Sequence, residues 1–157
     1  MASGASAIAV RIQADDFDAG AELALLSAGR GDVGGVASFL GLCRDEAGRL
    51  AALELEHYPG MAERAITQIA EKAVRRFSLL GLRVVHRYGR IAPGGNIVLV
   101  AAAAAHRRAA FDGAAYVMDF LKSEAPFWKK EHLADGSSGD WVAAKDSDDA
   151  AKDRWAD

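Results

Sequence analysis

The chain predicts a single α+β domain, on the strength of two long amphipathic helices and the short strand-like stretches between them. Over Gly60 to Phe77 the residues Met61, Ala65, Ile66, Ile69, Ala73, Val74 and Phe77 recur at helical spacing. Glu63, Arg64, Glu71, Lys72 and Arg75 take the other face. The second helix runs from His106 to Glu124 and stops ahead of Pro126, because the residue before a proline is forced out of helical backbone. The remaining apolar runs are short and bounded by Gly, Pro and Asp clusters, as strands are. The length, 157 residues, suits one domain.

Taken in order, residues 1–6 are small and polar and are expected to be disordered. Ala7 to Gln13 alternates apolar and polar residues and reads as a strand. Asp15, Asp16 and Asp18 are acids suited to capping a short helix that carries Leu23, Leu25 and Leu26. Glycines 29, 31, 34 and 35 break that helix and lead into a strand over Val36 to Cys43. A turn at Asp45 to Gly48 and a strand over Leu50 to Tyr58 complete an expected hairpin. Gly81 is read as the stop of the first long helix. Strands follow over Leu82 to Arg87 and Asn96 to Ala103, around the turn Pro93-Gly94-Gly95. Alanine favours helix, so the run 101–105 is ambiguous, but the bulky Ile97 to Val100 argues for a buried strand. Phe127 to Leu133 and Asp140 to Ala143 read as short strands around a Gly/Ser loop. The tail from 145 to 157 is polar, with Trp155 its one large apolar anchor.

Composition excludes several function classes. The net charge of −3 gives no field for bulk nucleic-acid binding, so an anion site must come from a local cluster of cations. One cysteine, Cys43, allows neither an intrachain disulfide nor a cysteine-based zinc site, and its apolar strand context reads as core. The N-terminus lacks the basic start and apolar stretch of a signal peptide, and no apolar run is long enough to span a bilayer. A cytoplasmic location with no membrane association is expected. There is no phosphate-binding G-x-x-x-x-G-K loop, no dinucleotide fingerprint and no H-E-x-x-H. His57, His86, His106 and His132 show no ligand spacing, so no metal is expected.

The second long helix carries the most informative pattern. At about 100° per residue, Arg107, Phe111, Met118 and Lys122 share one sector roughly 60° wide. That arrangement suits a site with a cation at each end of an apolar floor. Spacing alone favours the other reading, in which two long side chains lay their stems on apolar surface and reach water. His106 and Arg107 also open the helix, where free N–H groups and the positive dipole end attract an anion. Lys129 follows Pro126, Phe127 and Trp128. Desolvation there would make its amine a better base or nucleophile, although a solvated strand lysine accounts for it as well. In an extended stretch Lys130 takes the opposite face.

Five segments, in order from about Gly34 to Trp155, resemble those of one family. They are Phe39 to Arg44; Leu55-Glu56-His57-Tyr58-Pro59-Gly60-Met61; Ala105-His106-Arg107 with Phe111; Met118-Asp119-Phe120-Leu121-Lys122; and Ala125-Pro126-Phe127-Trp128-Lys129-Lys130-Glu131. Each is moderately specific alone, and their shared order is highly specific. The family is the molybdopterin synthase catalytic subunit.

The resemblance implies an α/β-hammerhead fold with an antiparallel sheet, a homodimer, and a small ubiquitin-like sulfur-carrier subunit at each end, giving a heterotetramer. It implies a sulfurtransferase that takes two sulfurs from carrier thiocarboxylates, each on a C-terminal Gly-Gly tail. These convert cyclic pyranopterin monophosphate to molybdopterin, with no metal or nucleotide cofactor at this step. Carried over by position, Lys122 and Lys129 match the lysines nearest the chemistry. Arg44, His106 and Arg107 match basic substrate-binding residues, and Phe39 and Met118 match the apolar wall. Lys145 stands where relatives commonly have an arginine that reaches across the dimer, and a lysine there loses bidentate phosphate geometry. The Asp45 to Arg49 turn also departs from the family pattern. The competing expectation is a non-catalytic anion-binding scaffold that docks the carrier without turnover.

Overall fold

The computed structural model describes residues 7–142 and 153–156. The expected disorder of residues 1–6 and the position of Lys145 fall outside the described residues. The elements are β1 (Ala7–Gln13), α1 (Ala19–Ser27), β2 (Gly35–Leu42), β3 (Leu50–His57), α2 (Met61–Phe77), β4 (Gly81–Arg87), β5 (Gly89–Ile91), β6 (Asn96–Ala104), α3 (Arg107–Ser123) and β7 (Phe127–Leu133). They form a four-stranded sheet ordered β1-β4-β6-β2 and a three-stranded sheet ordered β5-β3-β7. Among the described strands every pairing is antiparallel except β1 with β4. Among the described residues no helix is long and apolar enough to cross a membrane.

β6 is buried along most of its length, which explains its alanines. Val98, Val100, Ala102 and Ala104 face Ile66, Ile69, Ala70 and Ala73 of α2 and Ala110, Ala114, Val117 and Leu121 of α3. Ala101 and Ala103 face Leu26, Leu23 and Val33 on the other side. A strand covered on both faces reads as a continuous apolar run, and small side chains let both covering layers come close. The ambiguous alanines thus stay in the strand through Ala104.

Helix ends follow local chemistry. Asp18 caps α1 by accepting from the Ala21 N–H at 3.0 Å. Its neighbour Asp16 serves elsewhere, accepting from Asn96 at 2.9 Å. Gly60 begins α2 at φ 82°, backbone that only glycine adopts cheaply, and the Glu63 carboxylate accepts its N–H at 2.6 Å. The stop of α2 is corrected: Ser78, at φ 53° and ψ 48°, ends the helix in left-handed backbone, and Gly81 is the first residue of β4. Glu22 of α1 is buried between Arg11 and Arg83. Burial alone would raise its pKa, but hydrogen bonds from both arginines, the Arg83 Nε bond measuring 2.8 Å, hold it below its ordinary range.

The expected hairpin of residues 36–43 with 50–58 does not form. β2 pairs with β6, setting Phe39 opposite Val100, whereas β3 pairs with β5 and β7. The turn between them holds Glu46, Ala47 and Gly48 at φ 55°, 60° and 85°, and three successive left-handed residues carry the chain out of the first sheet. The expected strand over 140–143 reduces to an isolated bridge between Val142 and Lys129; Ala143 lies outside the described residues. The three-residue β5 gave no pattern long enough to read.

Gly34 fixes the start of β2 against the entry to α3. Its N–H donates to the Ala104 carbonyl at 2.9 Å, and a Cβ at this position would lie 1.9 Å from the Ala105 carbonyl oxygen. Gly34→Ala is expected to destabilise the fold by about 1–3 kcal/mol, read as a lower denaturant midpoint, because backbone must shift to admit the methyl group. An unchanged midpoint would contradict this close approach.

Candidate active site

The buried face of α3 consists of Ala110, Gly113, Ala114, Tyr116, Val117 and Leu121. The stripe from Arg107 to Lys122 lies beside that face, so it is not the core stripe. Arg107, Phe111 and Lys122 are exposed and Met118 is half-buried. Across from it runs β2, the outer strand of its sheet, whose Phe39 is 47% exposed; Phe111 is 58% exposed. Between helix and strand lies an open groove lined by Ala37, Phe39, Phe111, Met118 and Lys122, among others.

Lys122 is the junction of the site. It lines this groove, a second one shared with Phe39 and Arg44, and a more enclosed hollow of about 130 Å³. The hollow is formed where β7 turns back under the end of α3, and it holds Lys122 and Lys129 together with Met118, Phe127 and Trp128. Lys129 is half-buried, and its backbone is locked to Val142 by two hydrogen bonds of 3.0 and 2.8 Å. Lys130 faces the other way, its ammonium 5.6 Å from the centre of the Trp141 ring, as strand alternation requires. Cys43 is buried, and burial pushes its thiol pKa up, which agrees with a core role. Asp119 is occupied as an anchor, accepting from Trp155 Nε1 at 2.6 Å and pairing with Arg154 at 2.7 Å.

The structure therefore brings Lys122, Lys129, Arg44, Phe39 and Met118 to adjoining hollows. It does not bring His106 and Arg107 there within one chain. They start α3, with His106 as its N-cap and no acidic residue in the first turn. Fifteen residues of helix at about 1.5 Å each put Arg107 roughly 22 Å from Lys122. Lys145 lies outside the described residues.

One residue of the hollow was missed. His86 follows Leu82 and Val84 on the core face of β4, and a histidine in that register of an apolar strand was the available signal. Its Nδ1 lies 2.8 Å from the Arg87 carbonyl oxygen, so Nδ1 carries the proton and donates. Its ring stacks on Phe127 with centroids 3.9 Å apart and planes at 16°. Burial, followed by the positive charge of Lys122, lowers its pKa to about 4, and the ring is neutral near pH 7. Among the described residues no group of three or more His, Cys, Asp or Glu side chains is placed to hold a metal.

The α+β scaffold sets Lys122 and Lys129 around an apolar-walled hollow and Arg44 on the adjoining groove, a set of cations of the kind that stabilises negative charge. The sequence matches the model of the MoaE protein family over residues 12–124. It is 64% identical over 151 residues to the molybdopterin synthase catalytic subunit of Rhizobium meliloti (strain 1021), covering 96% of this chain and 97% of that protein. The MoaE molybdopterin-biosynthesis protein of Burkholderia ambifaria MC40-6 superposes with a TM-score of 0.81 at 50% identity, covering 94% of this chain and 97% of that one. A complex of subunits 1 and 2 of molybdopterin-converting factor from Helicobacter pylori 26695 contains a chain with the same fold, at a TM-score of 0.68 and 19% identity, covering 88% of this chain and 90% of that one. The chain belongs to the MoaE family of molybdopterin synthase catalytic subunits.

Proposed function

We propose that the chain works as the catalytic subunit of a molybdopterin synthase. It would move sulfur from the C-terminal thiocarboxylate of a small ubiquitin-like carrier, ending in Gly-Gly, onto cyclic pyranopterin monophosphate. The observation that supports this best is the position of Lys122, shared by an enclosed hollow and two open grooves. At about 130 Å³ the hollow is well below the roughly 300–1,000 Å³ of common small-molecule sites, and it suits the end of an extended peptide better than a whole pterin. The pterin would lie in the grooves, where Phe39 and Met118 offer an apolar wall.

Lys122 would donate to the thiocarboxylate and to the oxyanion formed when water attacks the carrier's acyl carbon. The thiocarboxylate sulfur would first bond to a pterin side-chain carbon, whose C–O bond breaks and whose oxygen departs with the electron pair. Water then adds to the acyl carbon of the resulting thioester, the acyl C–S bond breaks, the sulfur stays on the pterin as a thiolate, and the carrier departs as a carboxylate. Two carriers supply the two sulfurs of the dithiolene. Lys129 would move a proton or hold the substrate, and Arg44 would hold the phosphate. The sulfur arrives on the partner, so no catalytic cysteine, metal or nucleotide is required in this scheme. A cytoplasmic location accords with such a carrier.

A homodimer completes the site in this reading. His106 and Arg107 cannot meet Lys122 on one small substrate within a chain, but a second copy could bring its own pair to the groove. The outer strand β2, with Phe39 and Leu42 exposed, and Phe111 on α3 offer an apolar surface for such a copy. Lys145 would contribute across the same boundary. The test is reconstitution: carrier thiocarboxylate and pterin precursor are expected to yield dithiolene only when the chain is added. Binding of carrier and precursor without product would establish the scaffold alternative instead.

A further inference from the structure

The side chains lining the enclosed hollow are unevenly equipped for hydrogen bonding. Lys122 and Lys129 are donors only, Trp128 is a donor only, Met118 offers a weakly accepting thioether, and the others are apolar apart from His86. An incoming thiocarboxylate is served by the donors. The peptide that carries it also brings backbone N–H groups, and a buried N–H left without an acceptor weakens binding. His86 can supply that acceptor. Its Nδ1–H is committed to the Arg87 carbonyl, which leaves Nε2 with its lone pair. Among the described residues nothing pairs with Nε2, and no buried side-chain nitrogen or oxygen is left unsatisfied there, so Nε2 retains access to the hollow that His86 lines.

We propose that His86 is a positioning residue for the carrier tail, its Nε2 accepting a backbone N–H of the terminal Gly-Gly segment. The thiocarboxylate is thereby set at the right depth against Lys122. This inference rests on the reading that the tail enters the hollow. The stack on Phe127, which itself lies 5.9 Å from the His57 ring, fixes the plane of the imidazole, so the acceptor is in place before the tail arrives. A neutral imidazole also suits the site better than a carboxylate would. It accepts a hydrogen bond without cancelling the positive charge that draws the thiocarboxylate in.

The test compares His86→Phe, which keeps an aromatic ring on Phe127 but has no acceptor, with His86→Gln, whose amide oxygen can accept near the Nε2 position. Each is titrated with the intact carrier and with a carrier lacking its two terminal glycines, and turnover is measured with the intact carrier. His86→Phe is expected to weaken binding of the intact carrier by roughly tenfold while binding the truncated one as the unmodified chain does. The KM for carrier should rise more than kcat falls, and His86→Gln should stay within about threefold of the unmodified chain. Equal losses on both carriers in both variants would mark a purely structural role, and a fall in kcat with carrier affinity intact would mean that His86 serves Lys122 instead; either overturns the proposal. If the unmodified chain binds both carriers equally, the tail does not enter the hollow, and the underlying reading fails first.

Discussion

Lys122→Ala is expected to lower turnover by about 10²–10³-fold, the usual cost of removing one donor to a developing oxyanion. Its folded stability should stay within about 1 kcal/mol of the unmodified chain, because Lys122 is exposed in the last turn of α3 and its side chain forms no part of the core. The lysine does favour the negative end of the helix dipole, a term of about 0.3–1 kcal/mol at most. Loss of activity therefore cannot be attributed to unfolding. Single-turnover assays with a saturating thiocarboxylated carrier separate the chemical step from carrier binding. A variant that forms product at the unmodified rate would remove Lys122 from the chemistry. A loss confined to carrier affinity would reduce it to a docking residue.

The second large effect is on stability in acid. His86 is neutral in the fold, and its pKa falls from 6.5 to about 4 through burial first and the positive charges of Lys122 on α3 and His57 on β3 after it. The hydrogen bond to the Arg87 carbonyl acts in the opposite direction and does not compensate. Between these two values the unfolded chain binds a proton that the folded chain refuses, so stability falls as pH falls. The loss starts near pH 6.5, reaches about 3 kcal/mol near pH 4, and stops growing below it, where both states are protonated. Carboxylates titrate in the same range, so the comparison needs a variant without the imidazole. Urea unfolding at pH 7 and pH 4.5 is expected to show the unmodified chain losing about 2–3 kcal/mol more than His86→Phe. Parallel losses would contradict a neutral, buried His86.

The two long helices were legible from apolar residues at helical spacing and β1 from its alternation, whereas β6 was read from the bulky run Ile97 to Val100, its alanines staying ambiguous. Topology was less legible. Strand pairing between β2 and β3 was inferred from closeness in sequence, but the left-handed run Glu46–Ala47–Gly48 redirects the chain, and two of those residues are types not expected at positive φ. At the site, the stripe from Arg107 to Lys122 was visible as a pattern, although spacing could not tell a groove floor from snorkelling side chains. The structure sets Phe111, Met118 and Lys122 along an open groove with the exposed Phe39, and Arg107 is not among its lining residues. His86 was read only as one of four histidines without ligand spacing; its register on the core face was visible, but the stack on Phe127 and the nearby Lys122 come from distant parts of the chain.

The reading turns on one composite site, with Lys122 and Lys129 from one protomer and His106 and Arg107 from the other. Mixing Lys122→Ala chains with Arg107→Ala chains tests it directly. Each variant alone is expected to be nearly inactive. In a mixed dimer, one site would combine the intact Lys122 of one chain with the intact Arg107 of the other, so dithiolene formation should reappear on mixing, up to one working site per mixed dimer. If co-assembled chains stay as inactive as either variant alone, Arg107 and Lys122 do not serve one substrate across the dimer, and the composite site is wrong.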